Sequence, residues 1–102
     1  MTILTDQMAN AKFVPTEYKA LYLLPVLQKI GQRNNFYPVA IAKEIKRVDP
    51  YATVRIEDNS TLFIWVKESK RLAMCVALHR THPDEISLGA GKMHGWIRVW
   101  WD

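Results

Sequence analysis

The spacing of the apolar residues changes at Asp49-Pro50, and this change constrains the fold more than any other feature of the sequence. Before it, Ile41, Ile45 and Val48 recur at the intervals of one helix face. After it, residues 53–57 alternate between apolar and polar, which is typical of a half-buried strand. Because the residue before a proline disfavours the helical backbone, a helix is expected to end here. The sequence therefore predicts a helical part followed by a sheet.

Two helices are predicted in the N-terminal half. The first is expected from about Glu17 to Ile30, with Leu23 and Leu27 on its apolar stripe. Pro25 lies inside this pattern, so it either kinks one helix or opens a second short helix. The second helix is predicted to begin near Pro38, a favourable first residue, and to end by Val48.

The sheet is predicted to form around Thr61–Arg80, which consists of an apolar run, a charged turn at Lys67–Arg71 and a second apolar run. Because both runs are apolar on both faces, we interpret the segment as a β-hairpin of two interior strands. Residues 81–95 are expected to form a long loop, and the sequence also allows a short helical turn at Pro83–Leu88. The predicted strands are residues 53–57, 62–66, 71–79 and 96–101.

These elements predict an α+β fold, in which two N-terminal helices pack on one face of a four-stranded antiparallel sheet. A length of 102 residues is that of a single domain. The expected divisions are an N-terminal arm at residues 1–14, a helical part at residues 15–48 and a sheet part at residues 52–102.

Cysteine use and the N-terminal sequence favour a cytoplasmic protein. Cys75 is the only cysteine, so the chain cannot form an internal disulfide, which fits a reducing compartment. The first residues include the acidic Asp6 and lack the basic and apolar regions of a signal peptide. The longest uncharged stretch in a predicted helix, Ala20–Gln28, is too short to span a bilayer. No contact with a membrane is expected.

The C-terminal strand carries an unusual set of side chains. In an extended backbone, Trp96, Arg98 and Trp100 point to one side of the sheet. Tryptophan and arginine are the residues most enriched at protein-binding hot spots, and exposed aromatic rings also stack on bases. We therefore predict a partner-binding surface here. Tyr18 and Tyr22 lie one turn apart on the first predicted helix, off its main apolar stripe. They are predicted either to form a second exposed patch that binds a partner or to flank the core.

The same alternation predicts that Ile97, Val99 and Trp101 point to the opposite side of the sheet. With two helices and one sheet, one face is covered and the other stays open. The alternative is that a helix packs over the face of Trp96 and Trp100, which would make these rings part of the core.

A nucleic-acid-binding function is the second interpretation. The net charge is +4 and the pI is about 9.4, which permits an acidic partner. The sequence IAKEIKRVDPYATV, residues 41–54, partly resembles the Ala-Lys-Glu-Leu helix of helix-turn-helix regulators. The resemblance implies a winged helix, with a recognition helix from Tyr51 and the Thr61–Arg80 hairpin as its wing. The phosphate-contacting residues would be Lys43, Lys46, Arg47, Lys67, Lys70 and Arg71.

A small enzyme or metal protein is the third interpretation. Cys75, His79, His82 and His94 fall within 20 residues, and thiolate and imidazole are the usual zinc ligands. Cys75 and His79 are expected to share one strand face. The spacing matches no standard ligand pattern, and the segment Gly89–Lys92 lacks the features of a phosphate-binding loop.

The sequence therefore favours a small non-enzymatic interaction protein that binds a protein partner or self-associates through exposed aromatic residues. No cofactor and no catalytic residue are expected. Small chains without catalytic motifs are common among accessory factors and inhibitors, including those of phages and mobile elements.

Overall fold

A computed structural model of the chain describes residues 16–32, 35–58 and 60–101, so the predicted N-terminal arm lies outside the described residues. The described residues form five β-strands, three α-helices and two short 3₁₀ turns. In chain order, the strands and helices are β1 (Thr16–Lys19), α1 (Leu23–Ile30), α2 (Pro38–Val48), β2 (Thr53–Asp58), β3 (Thr61–Trp65), α3 (Glu68–His79), β4 (Glu85–Leu88) and β5 (Ile97–Trp100).

All neighbouring strands of the sheet are antiparallel, and their order is β1-β2-β3-β5-β4. The α+β class is therefore confirmed. The predicted number of strands is wrong, because β1 and β4 add to the sheet and one predicted strand is a helix. Strand β3 lies at the centre, while β1 and β4 form the two edges.

The first helix is shorter than predicted. Thr16–Lys19 pairs with β2 as an edge strand, and a 3₁₀ turn at Ala20–Tyr22 leads into α1. Pro25 is the third residue of α1, where its missing N–H would have no acceptor within the helix, so the helix continues through it. The helix ends at Ile30, and the next residue, Gly31, has a φ of 89°, a backbone conformation that suits glycine.

Helix α2 has the predicted ends. Pro38 is its first residue, and Asp49 leaves the helix with an extended backbone. The Asp49 carboxylate then accepts a hydrogen bond of 2.9 Å from the backbone N–H of Tyr51, which tightens the turn into β2. The two prolines near the ends of this helix in the sequence were therefore sufficient to predict where it begins and ends.

The predicted hairpin at Thr61–Arg80 is wrong, since only its first run is a strand. Glu68–His79 forms α3 instead of a charged turn and a second strand. Its buried residues Met74, Ala77 and Leu78 follow helical spacing, and most of its residues are good helix formers. Leu72 and Val76 lie on the exposed side, which made the segment resemble a strand that is apolar on both faces.

A second correction concerns the long loop after α3. Glu85–Leu88 is not a helical turn but a strand that pairs with β5 along its whole length. The pairing supplies backbone hydrogen bonds that the local sequence does not indicate.

The helices cover one face of the sheet, and the core lies between the two layers. Strand residues on this face include Val54, Ile64 and Val99, which are buried in one cluster with residues of all three helices. Trp101 is also fully buried, and its ring packs edge-on against Phe36 at 5.4 Å. No helix in the described ranges is long and apolar enough to cross a membrane.

Candidate interaction surface

The second face of the sheet carries the side chains that alternate with the core residues. Arg55, Phe63 and Arg98 are in register across β2, β3 and β5, and Glu17 and Ser87 extend this row onto the edge strands. Phe63 is absent from the core cluster that the helices cover. We define the open face by the strand residues Glu17, Lys19, Thr53, Arg55, Thr61, Phe63, Trp65, Glu85, Ser87, Arg98 and Trp100.

A 3₁₀ turn at Gly91–Met93 reaches over part of the open face. The Arg55 guanidinium donates a hydrogen bond of 3.4 Å to the Met93 sulfur. Met93 lies in the loop that leads into β5, whereas Arg55 is on β2, and Phe63 is on β3 between them. The Met93 side chain therefore reaches over the position of Phe63, which is only 9% exposed. A Cβ atom at Gly89 would collide with the carbonyl oxygen of Met93, so the turn depends on a glycine at this position.

The two arginines of the open face are paired with acidic residues. Arg98 donates to the Glu85 carboxylate at 2.9 Å, and the Arg55 guanidinium lies 3.9 Å from the Glu17 carboxylate. The positive charge on each arginine is therefore largely balanced at the open face itself. Each guanidinium still has further N–H donors that a partner can use.

Trp65 is the most exposed aromatic ring of the open face, with 45% of its surface accessible. Trp100 is half-buried, as is Trp96, which directly precedes β5. The predicted set Trp96, Arg98 and Trp100 thus lies beside the open face or on it. Sequence reasoning missed Trp65 and its neighbours Phe63 and Arg55, although the alternation along β2 and β3 could have identified them.

The predicted second patch is not formed. Tyr18 belongs to β1 and packs against the core on the helix-covered side, whereas Tyr22 is exposed in the 3₁₀ turn that follows. The two tyrosines do not share a helix face, because the helix begins only at Leu23.

The basic residues of the nucleic-acid interpretation lie on or beside the helical layer. Lys43, Lys46 and Arg47 belong to α2, while Lys67, Lys70 and Arg71 lie just before α3 and in its first turn. Arg47 is paired with Glu44 at 2.8 Å, and Lys70 lies 3.8 Å from Asp49. The expected recognition helix is strand β2, and the expected wing is β3 followed by α3, so the winged-helix arrangement is wrong.

The residues of the metal interpretation do not come together. Cys75 and His79 lie one turn apart on α3 rather than on a strand, and His82 and His94 are exposed in loops. In the described part of the chain, no three histidine, cysteine or acidic residues are close enough to hold a metal ion. Burial raises the pKa of the half-buried Cys75 thiol, and the Arg71 guanidinium partly opposes this effect.

Comparison of the chain with protein-family models, curated proteins and solved structures gave no match. The fold and the composition of its surfaces are therefore the grounds on which a function can be proposed.

Proposed function

We propose that this chain is a non-enzymatic interaction protein that binds a protein partner through the open face. The observation that carries the proposal is the accessible Trp65 ring beside the ordered row of Arg55, Phe63 and Arg98. Aromatic residues and arginine at the centre of a surface dominate the binding energy of protein interfaces. Met93 and the ion pairs hold these side chains in place before binding, which reduces the conformational entropy lost on association.

The charge balance of the open face favours a protein over a nucleic acid. Phosphate binding depends on lysine and arginine side chains whose charge is free to replace counterions. Here Arg55 and Arg98 each face a carboxylate. A partner surface that offers an apolar patch, together with carbonyl or carboxylate acceptors, matches these rings and guanidinium donors better.

The proposal can be tested by site-specific photo-cross-linking. A benzophenone amino acid replaces Trp65 on the open face or, as a control, Leu72 on the exposed side of α3. After irradiation in nuclease-treated host lysate, the Trp65 position is expected to give a discrete protein adduct that the Leu72 position does not give. Adducts that contain nucleic acid instead of protein, or no adduct beyond those of the control position, would contradict the proposal.

Binding of the captured partner by variants then measures the contribution of the ring. Trp65→Ala is expected to weaken binding by about 2 kcal/mol or more, as for a hot-spot residue. Leu72→Ala removes an even more exposed apolar side chain from the other layer and should leave the affinity unchanged. An adduct with twice the mass of the chain would instead identify the partner as a second copy.

A further inference from the structure

An apolar groove lies between α1 and α2, on residues that the proposed open face does not use. Leu21, Leu24 and Pro25 line one side of it. Val39 and Ala42 of α2 line the other side. The groove has a volume of about 340 Å³, and an adjoining hollow that shares Val39 runs past Tyr37 and Pro38.

Three apolar side chains of this groove, Leu21, Leu24 and Val39, are not part of the core. Helix α1 buries Leu23 and Leu27, and α2 buries Ile41 and Ile45, against the sheet. Leu21 and Leu24 remain substantially accessible, and Val39 is 54% exposed. These side chains form a small concave apolar surface between two helices, with charged residues at its border.

Two lysines give the rim of the groove a positive charge. Lys43 and Lys46 both line it, and neither forms an ion pair or a side-chain hydrogen bond with any residue in the described ranges. The acidic residue of α2, Glu44, is instead engaged by Arg47 and lies 4.0 Å from Arg80. The groove lining contains no carboxylate, so nothing in it neutralises the two ammonium groups.

We infer that this groove binds an acidic amphipathic helix of a partner protein. Apolar side chains at positions i, i+3 or i+4, and i+7 of such a helix would fill the space between Leu24 and Val39. Carboxylates on the flank of the same helix would reach Lys43 and Lys46. A helix fits better than a strand, because the groove is bounded by two helices, whose ridges accept the ridges of a third helix.

This inference goes beyond the proposed function and does not depend on it. The groove belongs to the helical layer, whereas Trp65 lies on the face of the sheet that the helices leave uncovered. A protein with both surfaces occupied would connect two partners.

The test uses two labelled 18-residue peptides as probes, each with leucine at helical spacing. In one, glutamate fills the remaining positions next to the leucine stripe, and in the other lysine replaces these glutamates. Fluorescence anisotropy at moderate salt is expected to show saturable micromolar binding of the glutamate peptide and about tenfold weaker binding of the lysine peptide. Equal affinities for the two peptides, or no saturable binding of the glutamate peptide below millimolar concentration, would overturn the inference.

Variants locate the binding site. The double variant Lys43→Glu/Lys46→Glu should weaken binding of the glutamate peptide about tenfold and should strengthen binding of the lysine peptide. The matched control Lys67→Glu/Lys92→Glu makes the same change in net charge at exposed positions outside the groove, and it should change the affinity less than about twofold. An equal loss in the control would mean that only net charge matters, which overturns the inference.

Val39→Glu tests the apolar part of the groove. It should abolish saturable binding of the glutamate peptide, while the exposure of Val39 lets the fold persist, as circular dichroism and the melting temperature can verify. Trp65→Ala should leave peptide binding intact. If Trp65→Ala abolishes binding and Val39→Glu does not, the peptide occupies the open face and the groove assignment is wrong.

Discussion

The C-terminal end of the sheet is fixed by Trp101. Its indole N–H lies 3.2 Å from both the carbonyl oxygen and the hydroxyl oxygen of Thr81, and that hydroxyl donates to the carbonyl of Leu78. The contacts link the last strand to the end of α3 through groups that are fully buried and hydrogen-bonded. Alternation along residues 96–101 predicted that this ring points to the side opposite Trp96 and Trp100, but which side faces the core and the contact with Thr81 both depend on the positions of the helices.

The thiol of Cys75 is expected to react slowly at neutral pH. Its folded-state pKa is raised above the ordinary value of 9.0, so very little thiolate is present. At pH 7, iodoacetamide should therefore alkylate Cys75 more slowly in the folded protein than in the unfolded chain. In the folded protein, the alkylation rate should continue to rise as the pH increases beyond 9. Arg71→Met should slow alkylation further, because the guanidinium favours the thiolate.

The raised pKa of Cys75 also determines how this residue contributes to the pH dependence of folding stability. Below pH 9.0 both the folded and the unfolded chain hold the proton, so Cys75 does not alter the pH dependence of stability. As the pH rises above this value, the unfolded chain loses its proton first, and the contribution of Cys75 to stability decreases.

The control for the alkylation experiment is Lys70→Met, which removes a positive charge from the same helix. If Lys70→Met slowed the alkylation of Cys75 as much as Arg71→Met does, a specific effect of Arg71 would be contradicted.

Among the elements, those with local signals could be predicted and those that depend on distant pairing could not. Helix α2 has a proline at its start and Asp49-Pro50 at its end, and β2 alternates along its length. Strands β1 and β4 have four residues each and are strands because of their neighbours β2 and β5. The open face was predicted in part, from β5 alone, since its remaining residues follow from the register of β2 and β3.

Two substitutions in α3 can distinguish this helix, which is buried on one side, from a strand that is buried on both faces. Met74→Ala should lower the free energy of unfolding by about 2–5 kcal/mol, because its side chain is completely buried. Leu72→Ala should change it by less than about 0.5 kcal/mol, because Leu72 is 77% exposed. Urea denaturation of both variants measures the difference. Similar large losses for both would indicate that the segment is buried on two sides.

Over the whole molecule the net charge is +4, and several of the basic side chains lie near carboxylates. The two arginines of the open face are paired with carboxylates, and Arg47 and Lys70 on the helical layer are also near acidic partners. Lys43 and Lys46 on α2 form no ion pair within the described ranges, and the same holds for Lys29, Lys67 and Lys92. Two neighbouring cations such as Lys43 and Lys46 release few counterions from a nucleic acid.

We therefore expect weak binding to nucleic acids. A labelled 20-nucleotide single strand, followed by fluorescence anisotropy at 150 mM salt, should show no saturable binding below about 100 μM. Lowering the salt should improve binding only modestly, because few phosphates are neutralised. Submicromolar affinity with a steep dependence on salt would instead favour the nucleic-acid interpretation and would count against the proposed protein partner.

The position of β1 in the sheet determines an order of folding. Lys19 pairs with Thr53, so both α1 and α2 lie within the chain segment that this contact closes, whereas only residues 59 and 60 separate β2 from β3. Closing the longer loop costs more chain entropy, so β1 is expected to dock after the β2–β3 hairpin has formed. As a four-residue edge strand with a single neighbour, β1 is also expected to detach more easily than the central strands, and its departure would uncover the backbone edge of β2, which is a template for aggregation.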